Sequence, residues 1–162
     1  MKYFAPAQLF DQSTQPHIVT LIALASISAL AMNIFLPSLP SMAAYYNTTP
    51  SVMSLSVAIY LGASALLQLF SGPISDRIGR RPVILVSLVL FIIASLATIW
   101  APNAETFLAL RFVQAFAATT MVLSRAIVRD TVGKDAAASK IAYVTMGMAV
   151  APMIGPGIGG YL

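Results

Sequence analysis

The sequence predicts an all-α integral membrane protein of five transmembrane helices with its N-terminus in the cytoplasm. Three observations carry this. Hydrophobic residues make up 59% of the chain and charged residues 9%, whereas a soluble domain carries about a quarter charged residues. The apolar residues gather into five segments close to the ~20 residues that an α-helix needs to cross a hydrocarbon core of about 30 Å. Threaded through a bilayer, those segments leave Lys and Arg almost wholly on one side. The dyad alternation of transmembrane strands is absent.

The first span, residues 18–36, holds no charged residue and ends at Pro37 and Pro40. Within it, Ala29-Leu30-Ala31 looks like a signal-peptide cleavage site. The 17 residues before the span carry little positive charge and the apolar run continues to Leu36, so the span is read as retained. The second span is 52–70. The third, 83–100, closes on Trp100 as an interfacial anchor. The fourth, 106–128, carries Arg111 and Arg125, and the fifth, 141–162, is rich in Gly and Pro.

Residues 1–17 form the cytoplasmic N-terminal segment, and the connections fall at 37–51, 71–82, 101–105 and 129–140. With the N-terminus inside, Lys2, Arg77, Arg80, Arg81, Arg125, Arg129, Lys134 and Lys140 lie on the cytoplasmic side and none lies opposite. The ninth basic residue, Arg111, lies within a span. The chain stops at Leu162 inside an apolar run, which reads as a fragment of a longer protein.

Composition excludes several function classes. There is no cysteine and a single histidine, His17, so neither a thiolate nor an imidazole metal cluster is expected. No basic stripe interleaved with aromatics points to nucleic acid. No nucleophile–base pair or metal cluster is visible, so an enzyme is not expected.

Four motifs remain. The segment Gly72-Pro-Ile-Ser-Asp76-Arg77-Ile-Gly79-Arg80-Arg81-Pro82 joins the second and third spans. Gly72 and Pro73 are expected to break the second helix, Gly79 to let the backbone reverse, and Pro82 to sit in the first turn of the third. A plain basic loop that only fixes topology would read the same way. In the fourth span, Arg111 lies six residues beyond Glu105, about 9 Å in at 1.5 Å per residue, with Gln114 one turn on and on the same face. Its guanidinium either faces the bundle interior or snorkels to the outer headgroups. In the fifth span, Gly147, Ala151, Gly155 and Gly159 recur every four residues, with Pro152, Pro156 and Gly160 among them. Such a stripe lets helix backbones approach closely. Asn33, in Asn33-Ile-Phe-Leu-Pro37-Ser-Leu-Pro40, is an amide inside the first span and must find a partner there.

These motifs together resemble the major facilitator superfamily. Gly72, Asp76, Arg77, Gly79, Arg80 and Arg81 match the family's signature between its second and third helices, with Ile74 in place of Leu. Arg111 and Gln114 match its fourth-helix motif, with Ala115 where Gly is usual. Gly155-Pro156-Gly-Ile-Gly159-Gly160 is similar to the antiporter motif of its fifth helix, with Ala151 in place of a Gly. The first-span string is similar to that of the bicyclomycin/chloramphenicol-resistance branch (the Bcr/CflA type), where an Asp stands at the position of Asn33. Tyr60 to Asp76, with Gly62, Gln68 and Gly72 between, also looks like the second helix of that branch.

The resemblance implies the N-terminal helical bundle of a secondary transporter, with 18–162 holding the first five of twelve expected helices. It implies multidrug efflux by drug/proton antiport and alternating access, in a bacterial inner membrane. No cofactor is implied beyond the proton as coupling ion. The partners are the bilayer, small lipophilic drug-like substrates and the other half of the transporter. Gly72, Asp76, Arg77, Gly79, Arg80 and Arg81, together with Asp130, would act in the conformational switch. Asn33, Tyr60, Gln68, Arg111 and Gln114 would line the proton or substrate pathway. Gly147, Ala151, Gly155, Pro156, Gly159 and Gly160 would form the antiporter helix. Every acidic residue lies near a membrane boundary or outside the spans. A nutrient or sugar symporter of the same fold and a non-transporting membrane scaffold are the other two classes.

Overall fold

The computed structural model describes residues 17–131 and 134–159, with the side chains of 131–137, 151, 152, 154–156, 158 and 159 left out of that description. Gly160 and the N-terminal segment before His17 lie outside the described residues. So do the side chains of Ala151, Gly155, Pro156 and Gly159, though their backbone is helical. The elements are α1 (Ile18–Asn33), a 3-10 turn (Leu36–Ser38), α2 (Leu39–Tyr45), α3 (Pro50–Ile78), α4 (Arg80–Thr98), α5 (Ala104–Gln114), α6 (Ala117–Thr131) and α7 (Lys134–Gly159).

Helix starts follow the sequence closely. Thr49 caps α3 by accepting from the Val52 amide at 3.4 Å, with Pro50 at the first helical position. Asn103 caps α5 by accepting from the Thr106 amide at 2.8 Å. Each cap satisfies an amide that has no partner within its own helix.

Four candidate spans result among the described residues: Ile18–Tyr45, Pro50–Ile78, Arg80–Thr98 and Ala104–Asp130. Three of their boundaries correct the sequence expectation. Pro37 and Pro40 do not end the first span, which continues through the 3-10 turn and α2. Both prolines stand at the first or second position of a new helical segment, where a missing amide costs nothing. Gly72 and Pro73 do not break the second span, and α3 runs on to Ile78. The hydroxyls of Ser71 and Ser75, one on each side of the proline, donate to the Gln68 and Gly72 carbonyls, and only the Leu69 carbonyl, four residues before Pro73, loses its helical donor. The chain reverses at Gly79 instead, with φ 96°, a conformation that costs an L-residue and not glycine. Asp76 therefore stands on the last turn of a helix rather than in a loop.

The third correction is in the fourth span, which is interrupted at residues 115 and 116. There the Ala115 amide is shared between the Arg111 and Phe112 carbonyls, and the Phe116 amide donates to Val113. These are tightened, 3-10-type bonds. The fifth helix also begins earlier than expected, at Lys134 rather than 141, so residues 129–140 are largely helical.

The rods pack around small side chains. Leu21, Ala25, Val128 and Val144 cluster at the end that carries Arg129. Ala31, Tyr60, Ala63, Ala115 and Ala117 fill the middle, and Ala43, Met53, Ala101 and Phe107 the far end. Alanine lets backbones close in where lipid offers no hydrophobic drive. A Cβ at Gly147 would run into the Ile22 side chain, so α7 lies hard against α1. Large apolar side chains such as Leu69, Phe70 and Ile93 point outward, and Trp100 is exposed at the end of α4.

Candidate functional site

The pathway residues expected from the sequence fall into two neighbouring groups. Asn33, Tyr60 and Gln68 line one cavity of about 210 Å³ between α1, α3, α6 and α7. Arg111 and Gln114 do not line it. They form a buried network on the α5 side of α1.

In the cavity, α1 contributes Ser28, Ala29, Met32 and Asn33, α3 contributes Tyr60, Leu61, Ser64 and Gln68, and Ala118, Met121 and Met148 close it. Residues 60, 64 and 68 recur every four positions and so share one face of α3. Tyr60 is 2% exposed, and its hydroxyl donates to the Ser28 carbonyl at 3.1 Å. Asn33 finds its partner within its own helix, Nδ2 donating to the Ala29 carbonyl at 2.7 Å. No charged side chain is among the described residues that line this space.

Arg111 is 5% exposed, so its guanidinium turns inward rather than to the headgroups. Nη1 donates to the Ala31 carbonyl at 3.1 Å and to Gln114 Oε1 at 2.8 Å. Its Cζ stands 3.4 Å from the centre of the Phe35 ring and 5.3 Å from that of Phe107. Gln114 Nε2 donates to Thr98 Oγ1 at 3.1 Å, which brings α4 into the network. A buried cation is costly unless compensated. Here the compensation is a carbonyl, an amide and two π faces, with no carboxylate among the described residues. The network ties the break in the first span to the break in the fourth, since Ala31 precedes one by a turn and Gln114 abuts the other.

The residues expected from the sequence to act in a switch assemble at the opposite chemical extreme, at the ends of α3, α4 and α6. Arg80 Nη2 lies 2.7 Å from Asp76 Oδ1 and 3.1 Å from Asp130 Oδ2. Its Nε donates to the same Asp130 oxygen at 3.1 Å, and its Nη1 to Ser75 Oγ at 2.6 Å. Arg80 thus joins the two carboxylates, Asp76 from its own hairpin and Asp130 from the fourth span. Asp76 at a helix C-terminus and Arg80 at a helix N-terminus each oppose the local helix dipole, and each offsets the other. Gly79 makes this possible by turning the chain between them. Arg77 is exposed beside them, and Arg81 stands half-buried on the first turn of α4.

Sequence reasoning missed several participants. Phe35 and Phe107 carry no motif, and their stacking on Arg111 depends on two spans meeting. Thr98 and Ser64 are single hydroxyls in apolar runs, indistinguishable from the back-bonded hydroxyls of Ser56 and Ser124. Ser75 stood inside the 72–81 motif and was legible there as a donor or acceptor at the turn.

A family model described as Major Facilitator Superfamily matches residues 21–162. A bicyclomycin resistance protein homolog of Haemophilus influenzae is 32% identical over 94% of this chain and 38% of its own length. A chloramphenicol resistance protein of Pseudomonas aeruginosa is 36% identical over 82% of the chain and 32% of its length. Multidrug resistance protein D of Escherichia coli is 31% identical over 90% of the chain and 37% of its length. The chain spans about a third of the length of these curated relatives. Motifs, helical architecture and family match agree, and the chain belongs to the Major Facilitator Superfamily.

Proposed function

We propose that this chain works within a secondary transporter that exports small lipophilic or amphipathic drug-like molecules in exchange for protons, by alternating access in a bacterial inner membrane. The observation that carries the proposal is the cavity between α1, α3, α6 and α7, partly apolar and partly polar, in a chain of this family. Relatives named for bicyclomycin, chloramphenicol and multidrug resistance support the substrate class. On this reading, two six-helix halves rock about a midplane site, and 18–162 belongs to the first. The Asp76–Arg80–Asp130 cluster latches the ends of three helices in one of the two states. Arg111 holds the two span breaks together beside the site, and the small-residue helix α7 packs at the interface.

The test is directional. Inverted membrane vesicles containing the protein should take up labelled chloramphenicol when their lumen is made acidic, so that protons leave as drug enters, and uptake should collapse with a protonophore. Uptake only in right-side-out vesicles under an inward proton gradient, drug and proton moving together, would favour the symporter class, and no gradient-dependent flux in either orientation would leave a non-transporting scaffold.

A further inference from the structure

The transport proposal names a broad class of drugs, and the cavity narrows it. We infer that this cavity takes an uncharged ring-bearing moiety with a hydrogen-bonding substituent and rejects lipophilic cations, an inference that rests on the proposed transport function.

Size sets the first limit. An apolar cavity of about 150 Å³ holds a benzene molecule, while drug-sized ligands occupy roughly 300 Å³ or more. At about 210 Å³, this space suits one substituted ring rather than a whole drug. Its apolar wall includes Met32, Met121 and Met148, whose flexible thioethers fit irregular shapes and make favourable contacts with aromatic rings.

The polar wall is neutral and partly unspent. The Tyr60 proton is committed to the Ser28 carbonyl, and one Asn33 amide proton to the Ala29 carbonyl. Asn33 Oδ1 and the Gln68 amide keep capacity to bond a ligand. Ser64 is 6% exposed, and its buried Oγ has no hydrogen-bond partner among the described residues. A buried hydroxyl without a partner calls for one, and a ligand's polar substituent would supply it.

Charge decides the rest. A cation leaving water needs a carboxylate or an aromatic cage. Among the described residues this wall has no carboxylate, Asn33 standing where an acid would be placed to help, and its sole aromatic is Tyr60. The buried charge close by is itself positive. Arg111 binds the Ala31 carbonyl, on the stretch of α1 that lines the cavity, and has no carboxylate partner among the described residues. The field at the cavity therefore opposes a second cation.

The experiment compares two aromatic probes, chloramphenicol (uncharged) and tetraphenylphosphonium (cationic), by equilibrium binding to the protein in nanodiscs, in the longest form in which its gene is expressed. Wild-type protein should bind chloramphenicol at least about tenfold more tightly. Ser64→Ala and Gln68→Ala should each weaken chloramphenicol about 3- to 10-fold, and Asn33→Asp should shift the ratio toward the phosphonium by about tenfold. Equal or tighter phosphonium binding by the wild type overturns the inference while leaving drug transport standing. So does chloramphenicol binding that neither Ser64→Ala nor Gln68→Ala alters in folded protein. The wild-type comparison needs no variant, so a substitution that misfolds does not shelter the inference. No saturable binding of either probe overturns the transport proposal itself, and this inference with it.

Discussion

Two arginines organise this molecule, and they do so in opposite surroundings. Arg80 sits at a boundary, its side chain 21% exposed, between carboxylates that are 62% and 47% exposed. Arg111 sits inside the bundle with no carboxylate among the described residues, held by a carbonyl, an amide and two phenyl rings. Ion pairs exposed to water contribute little, because solvent and salt screen them and side-chain entropy opposes them. A buried donor or acceptor stripped of its partner costs far more. The cluster with more opposite charge is thus the weaker one energetically, which fits the latch role proposed for it, one that would break and re-form. The charge-poor network suits a joint that stays made.

The largest effect should come from Arg111→Leu. It leaves the Ala31 carbonyl and Gln114 Oε1 without their donor, at about 1–3 kcal/mol for each buried group. Thermal unfolding in detergent should show the loss, and proton-driven transport should fall below detection. Arg111→Lys keeps the charge but loses the planar group that spans both acceptors and stacks on Phe35, so it should recover only part of the stability. Full recovery by lysine would mean that charge alone matters and would erase the contrast between the two arginines.

Gln114→Ala should come next, at about 1–2 kcal/mol. It removes one acceptor from Arg111 and one donor to Thr98, while Ala31 remains to hold the guanidinium. A matching loss in Thr98→Val, and no further loss in the double variant, would place both on one network. Gly79→Ala should follow, costing about 1–2 kcal/mol from its φ of 96°. If the turn serves the switch, the variant should slow transport more than its stability change explains, read as rate at matched amounts of folded protein.

Much of this arrangement was legible in the sequence. The spacing of Arg111 and Gln114 placed them on one helix face, and they are hydrogen-bonded. Gly79 was expected at the reversal and is there. Asp130 was expected near Asp76 and meets it through Arg80. The helix ends were less legible, because proline and glycine carry two meanings. Pro37 and Pro40 read as stops, yet each can begin a new turn, and only the packing of the first span decides which. Gly72-Pro73 read as a break, yet the helix runs through it to Ile78. The interruption after Gln114 has no Gly or Pro to announce it. On either side, Arg111 and the Thr120 hydroxyl reach carbonyls of α1, Ala31 at 3.1 Å and Leu24 at 2.6 Å. Contacts between spans 80 or more residues apart leave no local signature.

The smallest stability effect should be that of the boundary carboxylates. Asp76→Asn and Asp130→Asn should each change unfolding free energy by about 0.2–1 kcal/mol at low salt. That change should shrink at 1 M salt, where the Debye length falls to about 3 Å, whereas the cost of Arg111→Leu should not. Transport should respond in the reverse proportion. If the cluster latches one state, losing it shifts the balance of states, and a shift of even about 1 kcal/mol alters that balance several-fold. Asp76→Asn should therefore insert and fold normally yet transport slowly. Wild-type rates in that variant would remove the latch and leave Arg80 as an ordinary topological charge, and the contrast between the two arginines would then be one of burial alone.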